Sequence, residues 1–192
     1  MIGGALVVVL AAAVAVVVLR FQHEKPGRAP AARACGPAKA LIPVGGQVPG
    51  SCTVEILGGG VAVPISEIAS GKPMVVNFWS TSCPNCVQEM PDFQRVYASA
   101  AGEVQFLGLD LLGVEGEVRS AAVAFARQRA VAYPLAYDDG GLLYGRISLR
   151  YLMPTTAFVR ADGTLAGFRL GQVSAPDLRD LIRQYLGVRV PA

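Results

Sequence analysis

Histidine is nearly missing from this chain of 192 residues: His23 is the only one, beside a long apolar run at the N-terminus. The rest of the chain therefore has no imidazole, which argues against a copper-delivery protein. It would also leave a zinc site to be assembled from four scattered cysteines. Charge is scarce as well, with Asp, Glu, Lys and Arg together only 16% of residues. The basic excess is local. Residues 1–50 hold five Lys and Arg against one Glu, for +4, and the remainder holds twelve against thirteen, for −1. A domain with that balance offers no basic patch to a nucleic acid. Tryptophan occurs once, at Trp79, and cysteine only four times, at Cys35, Cys52, Cys83 and Cys86. An even set of cysteines suits an oxidising compartment.

Ile2 to Leu19 is an uninterrupted run of eighteen uncharged, nearly all apolar residues that stops at Arg20. That is short for a membrane-spanning helix and long for the core of a signal peptide. No small-x-small cleavage site follows at a suitable distance, so residues 1–20 are expected to be a retained membrane anchor. Lys and Arg follow the run rather than precede it, which by the positive-inside rule alone would keep the domain in the cytoplasm, a placement overruled by the even set of cysteines and by the resemblance described below. Residues 21–50, rich in Pro and Gly without sustained periodicity, read as a basic linker. It either lies on anionic lipid head groups or is a solvated tether. Residues 51–188 then form one domain, a size that can bury its own core.

The centre of that domain is the stretch 74–91. Met74 to Trp79 is a buried strand by composition, bounded by Gly71 and Pro73. After a loop at Ser80-Thr81-Ser82, Pro84 marks a helix start, because the first helical position has no use for a backbone N–H. Cys83 is then the N-cap and Cys86 lies one turn in, so both sulfurs share one side of the first turn. The positive end of the helix dipole stabilises a thiolate, which makes Cys83 the expected nucleophile and Cys86 the buried resolving thiol. Glu89, three residues further on the same face, is the expected general base, with burial raising its pKa toward neutrality. The bland alternatives are a metal-ligating CxxC and a Glu89 that is merely solvated. Trp79 reads as a core aromatic that also shields the disulfide.

The segment Asn-Phe-Trp-Ser-Thr-Ser-Cys-Pro-Asn-Cys-Val-Gln-Glu-Met-Pro resembles the active-site strand and helix of the thioredoxin superfamily, specifically its TlpA/ResA/DsbE-like branch. Met153-Pro154-Thr155-Thr156, followed by Asp162-Gly163, is similar to that branch's cis-proline segment and hairpin. The resemblance implies an α/β thioredoxin-like fold, with a central mixed sheet flanked by helices. It implies a cis bond before Pro154 and substrate binding at Trp79, Pro84, Met153 and Pro154, without cofactor or metal. It also implies an extracytoplasmic thiol–disulfide oxidoreductase on the bacterial cytoplasmic membrane, held in the lipid bilayer. Its substrates would be proteins with cysteine pairs such as apocytochrome c, and a membrane thiol carrier would supply electrons. Asn77 stands where thioredoxin proper has an acid, so the proton-acceptor role moves to Glu89. Pro84-Asn85 puts proline first, as in more oxidising relatives, which leaves a disulfide-forming oxidase open. A thiol peroxidase is disfavoured, because Thr81 lies two rather than three residues before Cys83, and an inert docking module has no use for Cys83, Cys86, Glu89 and Pro154 together. Cys35 and Cys52 are expected as a structural disulfide, with a second redox pair or two free thiols as the alternatives.

Further expectations are local. Glu117 to Arg129 has the apolar spacing of a helix, Leu142 to Tyr151 reads as another, and Ser174-Ala175-Pro176-Asp177 opens the last one as a capping box. Asp110, at the carboxyl end of the strand beginning at Val104, is expected to cap that strand end, with facing the site as the alternative.

Overall fold

The computed structural model describes Cys35, residues 40–114 and residues 116–192. The expected anchor, and the linker apart from Cys35 and residues 40–50, lie outside the described residues. Among the described residues no helix is long and apolar enough to cross a membrane.

The elements run in the order β1 (Thr53–Ile56), β2 (Ala62–Pro64), α1 (Ile65–Ala69), β3 (Met74–Trp79), α2 (Pro84–Ser99), β4 (Gln105–Asp110), α3 (Arg119–Arg129), β5 (Leu135–Tyr137), α4 (Tyr144–Ile147), β6 (Thr155–Val159), β7 (Leu165–Leu170) and α5 (Ala175–Leu186). Seven strands form one mixed sheet in the order β2-β1-β5-β4-β3-β6-β7. The β3–β4 and β4–β5 pairs are parallel, whereas β3–β6, β6–β7, β1–β5 and β1–β2 are antiparallel. This is the expected thioredoxin-like arrangement.

The continuous apolar run of β3 is explained by burial on both faces. Val75 and Trp79 belong to the core under α2, α3 and α5, and Met74, Val76 and Phe78 to the core on the opposite face. Asn77 lies between Val75 and Trp79 in the alternation and so shares their face. Gly108 is its neighbour on β4. A Cβ at Gly108 would sit 2.4 Å from Leu135 Cδ2, so any larger residue there would have to displace the Leu135 side chain that packs over it. Helix α2 runs unbroken through Pro91. Helix α5 turns Leu178 and Ile182 into the core, and its N-cap Ser174 accepts from Asp177 N–H at 3.4 Å, as the capping box requires.

Two helices differ from expectation. The stretch 142–151 yields only Tyr144–Ile147, because the Ser148 hydroxyl donates to Arg150 O at 2.9 Å and accepts from Arg150 N–H, offering the backbone a turn instead. The Tyr144 hydroxyl receives Leu152 N–H at 2.9 Å and holds the remainder as a loop. Helix α3 begins at Arg119 rather than Glu117, whose side chain is engaged elsewhere.

Cys35 and Cys52 are joined in a disulfide, both nearly inaccessible, on the face opposite α2. Arg146 of α4 reaches the carbonyls of Cys35 and Ala40, and Ile42 N–H donates to Arg146 O at 2.7 Å. The segment before β1 is thereby tied to the domain at three backbone positions.

Candidate active site

Parallel strand β3 ends at Trp79, and the chain turns through Ser80-Thr81-Ser82 into α2, which places Cys83 beyond the carboxyl edge of the sheet. Cys83 has extended backbone and caps the helix: its Sγ accepts Cys86 N–H at 3.1 Å. Proline at the next position leaves the first turn one orphan N–H fewer. Cys83 and Cys86 form a disulfide with Cα atoms 5.3 Å apart. Cys83 is half-buried and Pro84 exposed, while Cys86 is buried. An attacking thiol can therefore reach Cys83 but not Cys86.

Glu89 is fully buried, on the inward face of α2 one turn beyond Cys86. Its Oε1 accepts from Asn77 Nδ2 at 2.7 Å and its Oε2 from Val173 N–H at 2.9 Å. Burial raises its pKa from 4.5 to about 7, against the two hydrogen bonds, which favour the anion. A carboxyl poised there can take a proton near neutral pH. Its being a solvated helix residue is excluded by the burial.

The Met153–Pro154 bond is cis, as the resemblance implied. Pro154 is buried, Met153 half-buried, and Gly171 N–H donates to Pro154 O at 2.8 Å. Trp79 is a core aromatic, as its composition context implied, but its expected substrate contact requires a correction. Its ring is wholly buried, tilted against Phe125 at 5.3 Å between centroids, in the same core cluster as Cys86. It lines the floor beneath the dithiol and has no surface for a substrate.

Two acids near the site are placed differently from the sequence reading. Asp110 caps nothing: it is fully buried beside Trp79 in the β3–β4 register, and neither carboxylate oxygen has a hydrogen-bond partner. Burial, followed by the charge of Glu117, pushes its pKa up to about 8, so it is mostly protonated at neutral pH. Glu117, read as the first residue of a helix, instead accepts from Ser80 Oγ and Thr81 N–H, both at 2.8 Å, and from Thr81 Oγ1. No local signal marks it, because its partners lie 36 and 37 residues away. Among the described residues, no group of three or more His, Cys, Asp or Glu is arranged to hold a metal.

Chemically, the arrangement is a dithiol–disulfide switch with one accessible sulfur, one buried sulfur and a carboxyl of near-neutral pKa beneath them. Proteins named for thiol–disulfide exchange resemble the chain in sequence and in fold. The chain is 27% identical over 113 residues to a thiol-disulfide oxidoreductase ResA of Halalkalibacterium halodurans, covering 58% of this chain and 61% of that one. It is 24% identical over 117 residues to a sporulation thiol-disulfide oxidoreductase A of Bacillus subtilis, covering 60% and 70%. The match thus spans about three fifths of the length of the ResA relative. Among solved structures, a secreted Mycobacterium tuberculosis disulfide oxidoreductase described as homologous to E. coli DsbE superimposes with a TM-score of 0.58. Sequence identity there is 25%, over 69% of this chain and 94% of that one. A family profile matches residues 44–167, from the segment before β1 to the middle of β7. With that match spanning more than half of the sequence, the chain belongs to the AhpC/TSA family.

Proposed function

We propose that this chain is a thiol–disulfide oxidoreductase of protein substrates, working as a reductase on the extracytoplasmic side of the bacterial cytoplasmic membrane. Residues 1–20 serve as its anchor, residues 21–50 as the tether and residues 51–188 as the catalytic domain. The observation that carries the reading is the position of Cys83, a half-buried N-cap sulfur bonded to a buried Cys86 above the buried Glu89. The names of the ResA and sporulation relatives support the same chemistry.

In the reduced protein the Cys83 thiolate attacks a substrate disulfide, forming a mixed disulfide and releasing one substrate thiolate. Glu89 accepts the Cys86 proton, and the Cys86 thiolate attacks Cys83 Sγ. The Cys83–Cys86 bond forms, the mixed disulfide breaks, and the second substrate thiolate leaves; the two substrate thiolates take up one proton returned by Glu89 and one from solvent, where the Cys83 proton had gone. The substrate gains two electrons and two protons, and an external dithiol, a membrane thiol carrier in this reading, restores the enzyme. Met153 and the cis Pro154 offer backbone for an extended substrate to pair with. Cysteine pairs of apocytochrome c are the proposed substrates.

The test is to mix reduced Cys86→Ser protein with a disulfide-bonded apocytochrome c peptide and to measure the reduction potential of the parent pair through Trp79 fluorescence. A mixed disulfide trapped on Cys83, with a potential of about −270 mV or lower, supports the reductase. A potential near −120 mV would instead make this a disulfide-forming oxidase. Unimpaired turnover by Cys86→Ser would point to a peroxidase or a docking module.

A further inference from the structure

The loop that carries Cys83 has little of its own to hold it. Between Trp79 and the N-cap its only internal backbone bond runs from Cys83 N–H to Ser80 O at 3.2 Å. What fixes it comes from the loop after β4. Leu111 N–H donates to Trp79 O at 3.0 Å, laying residues 111–114 alongside, and Glu117 is buried against residues 80 and 81. Glu117 is itself seated by its backbone, its N–H donating to Val114 O at 3.0 Å and its carbonyl accepting from Gly113 N–H at 3.1 Å.

The hydrogen bonds have a direction. Ser80 Oγ donates its one proton to Glu117 Oε2 and is left as an acceptor. In that role it takes Ser82 N–H at 3.2 Å and, at 2.7 Å, the Ser82 hydroxyl. One carboxylate therefore orders three consecutive residues, Ser80 and Thr81 directly and Ser82 through Ser80, up to the residue before Cys83. Asp110, the other acid here, contributes no hydrogen bond to the loop. Charge-assisted bonds of this kind are the stronger class, and three donors converge on one side chain: Ser80 Oγ–H, Thr81 N–H and the Thr81 hydroxyl, whose one proton lies between the two carboxylate oxygens.

We propose that Glu117 is a positioning residue for the dithiol: its carboxylate clamps residues 80–82 and thereby holds Cys83 at the N-cap of α2, where the helix dipole stabilises its thiolate. The inference rests on Cys83 being the reacting thiol of the proposed exchange. The clamp and the charge of Glu117 act in opposite senses. Losing the clamp lets Cys83 drift from the helix terminus and makes its thiol less acidic, whereas removing a nearby negative charge makes it more acidic. Glutamine separates the two, because its amide oxygen still accepts Thr81 N–H and its NH2 can donate to the Ser80 or Thr81 hydroxyl.

The experiment is the rate of Cys83 alkylation by iodoacetamide across pH 5 to 9, on the reduced full-length chain carrying Cys86→Ser. Parent, Glu117→Ala, Glu117→Gln and Ser80→Ala/Thr81→Val backgrounds are compared, with thermal unfolding followed in parallel. The expected result at pH 7 is a rate about tenfold lower in Glu117→Ala, restored to within about threefold of the parent in Glu117→Gln. The Ser80→Ala/Thr81→Val background should also fall, and it decides the matter if Glu117→Ala does not fold. Equal loss in the Ala and Gln variants, a gain in both, or parent-like rates in Ser80→Ala/Thr81→Val would overturn the proposal. Alkylation needs only the thiol, so failure of the exchange reading appears in the trapping experiment and not here.

Discussion

Replacing Glu89 by glutamine should make the oxidised protein more stable in alkaline solution and less competent in exchange. The carboxyl is fully buried, and burial raises its pKa from 4.5 to about 7. Below pH 4.5 the group is protonated both folded and unfolded, so it adds no pH dependence. Between pH 4.5 and about 7 the unfolded chain releases the proton while the folded chain keeps it, and stability falls as pH rises. Above pH 7 the full difference has accrued, about 3 kcal/mol. Glutamine removes that dependence and keeps both contacts. Its Oε1 can accept Val173 N–H, and its NH2 can donate to Asn77 Oδ1, which has no partner now and is reached by turning the Asn77 amide over. Urea unfolding of oxidised parent and Glu89→Gln at pH 4 and pH 9 checks this. Near-equal stability at pH 4 and a gain of about 3 kcal/mol for the variant at pH 9 are expected. The subtraction isolates Glu89 from Asp110 and Asp138, whose raised pKa values slope the same way in both proteins. Parallel stability curves would refute the argument, as would a variant that is weaker at pH 9. In stopped-flow exchange the same variant should accumulate the mixed disulfide at Cys83, because Cys86 has lost its proton acceptor.

Two further perturbations probe the scaffold. Removing the buried Cys35–Cys52 bridge with a double serine variant should cost about 3 kcal/mol by loop entropy for its 17-residue separation, measured as a lower urea midpoint. Exchange at Cys83 should persist in that variant, and its loss would make Cys35–Cys52 a redox relay. Gly108→Ala drives a methyl to 2.4 Å from Leu135 Cδ2 and 3.2 Å from both Trp79 Nε1 and Tyr133 Cε2. Overpacking of that kind should lower stability by about 1–3 kcal/mol in thermal unfolding. A parent-like melting temperature would mean that β5 yields more readily than this packing implies.

Much of this protein is written locally. The apolar run Met74–Trp79, bounded by turn formers, specifies a strand buried on both faces. Pro84 specifies where α2 starts and hence that Cys83 is its cap, and helical spacing places Glu89 one turn from Cys86 on the same face. These follow from short-range sterics and periodicity, which a linear reading retains. The burial of Glu89 was expected from its place beneath Cys86, but the groups that seal it, Asn77 of β3 and Val173, 84 residues away, were not legible in that way. Tertiary structure alone decided that Trp79 packs under Phe125 and that Asp110 is buried without a partner, whereas Leu142–Tyr151 breaks at Ser148 through a local turn that helical spacing does not reveal. It also turned Glu117 away from helix α3 and onto Ser80 and Thr81. For Glu117 the physical reason is plain. Propensity and period act over a few residues, whereas the parallel β3–β4 crossover brings together two loops that are more than thirty residues apart, and the hydrogen bonds available there outweigh one more turn of helix.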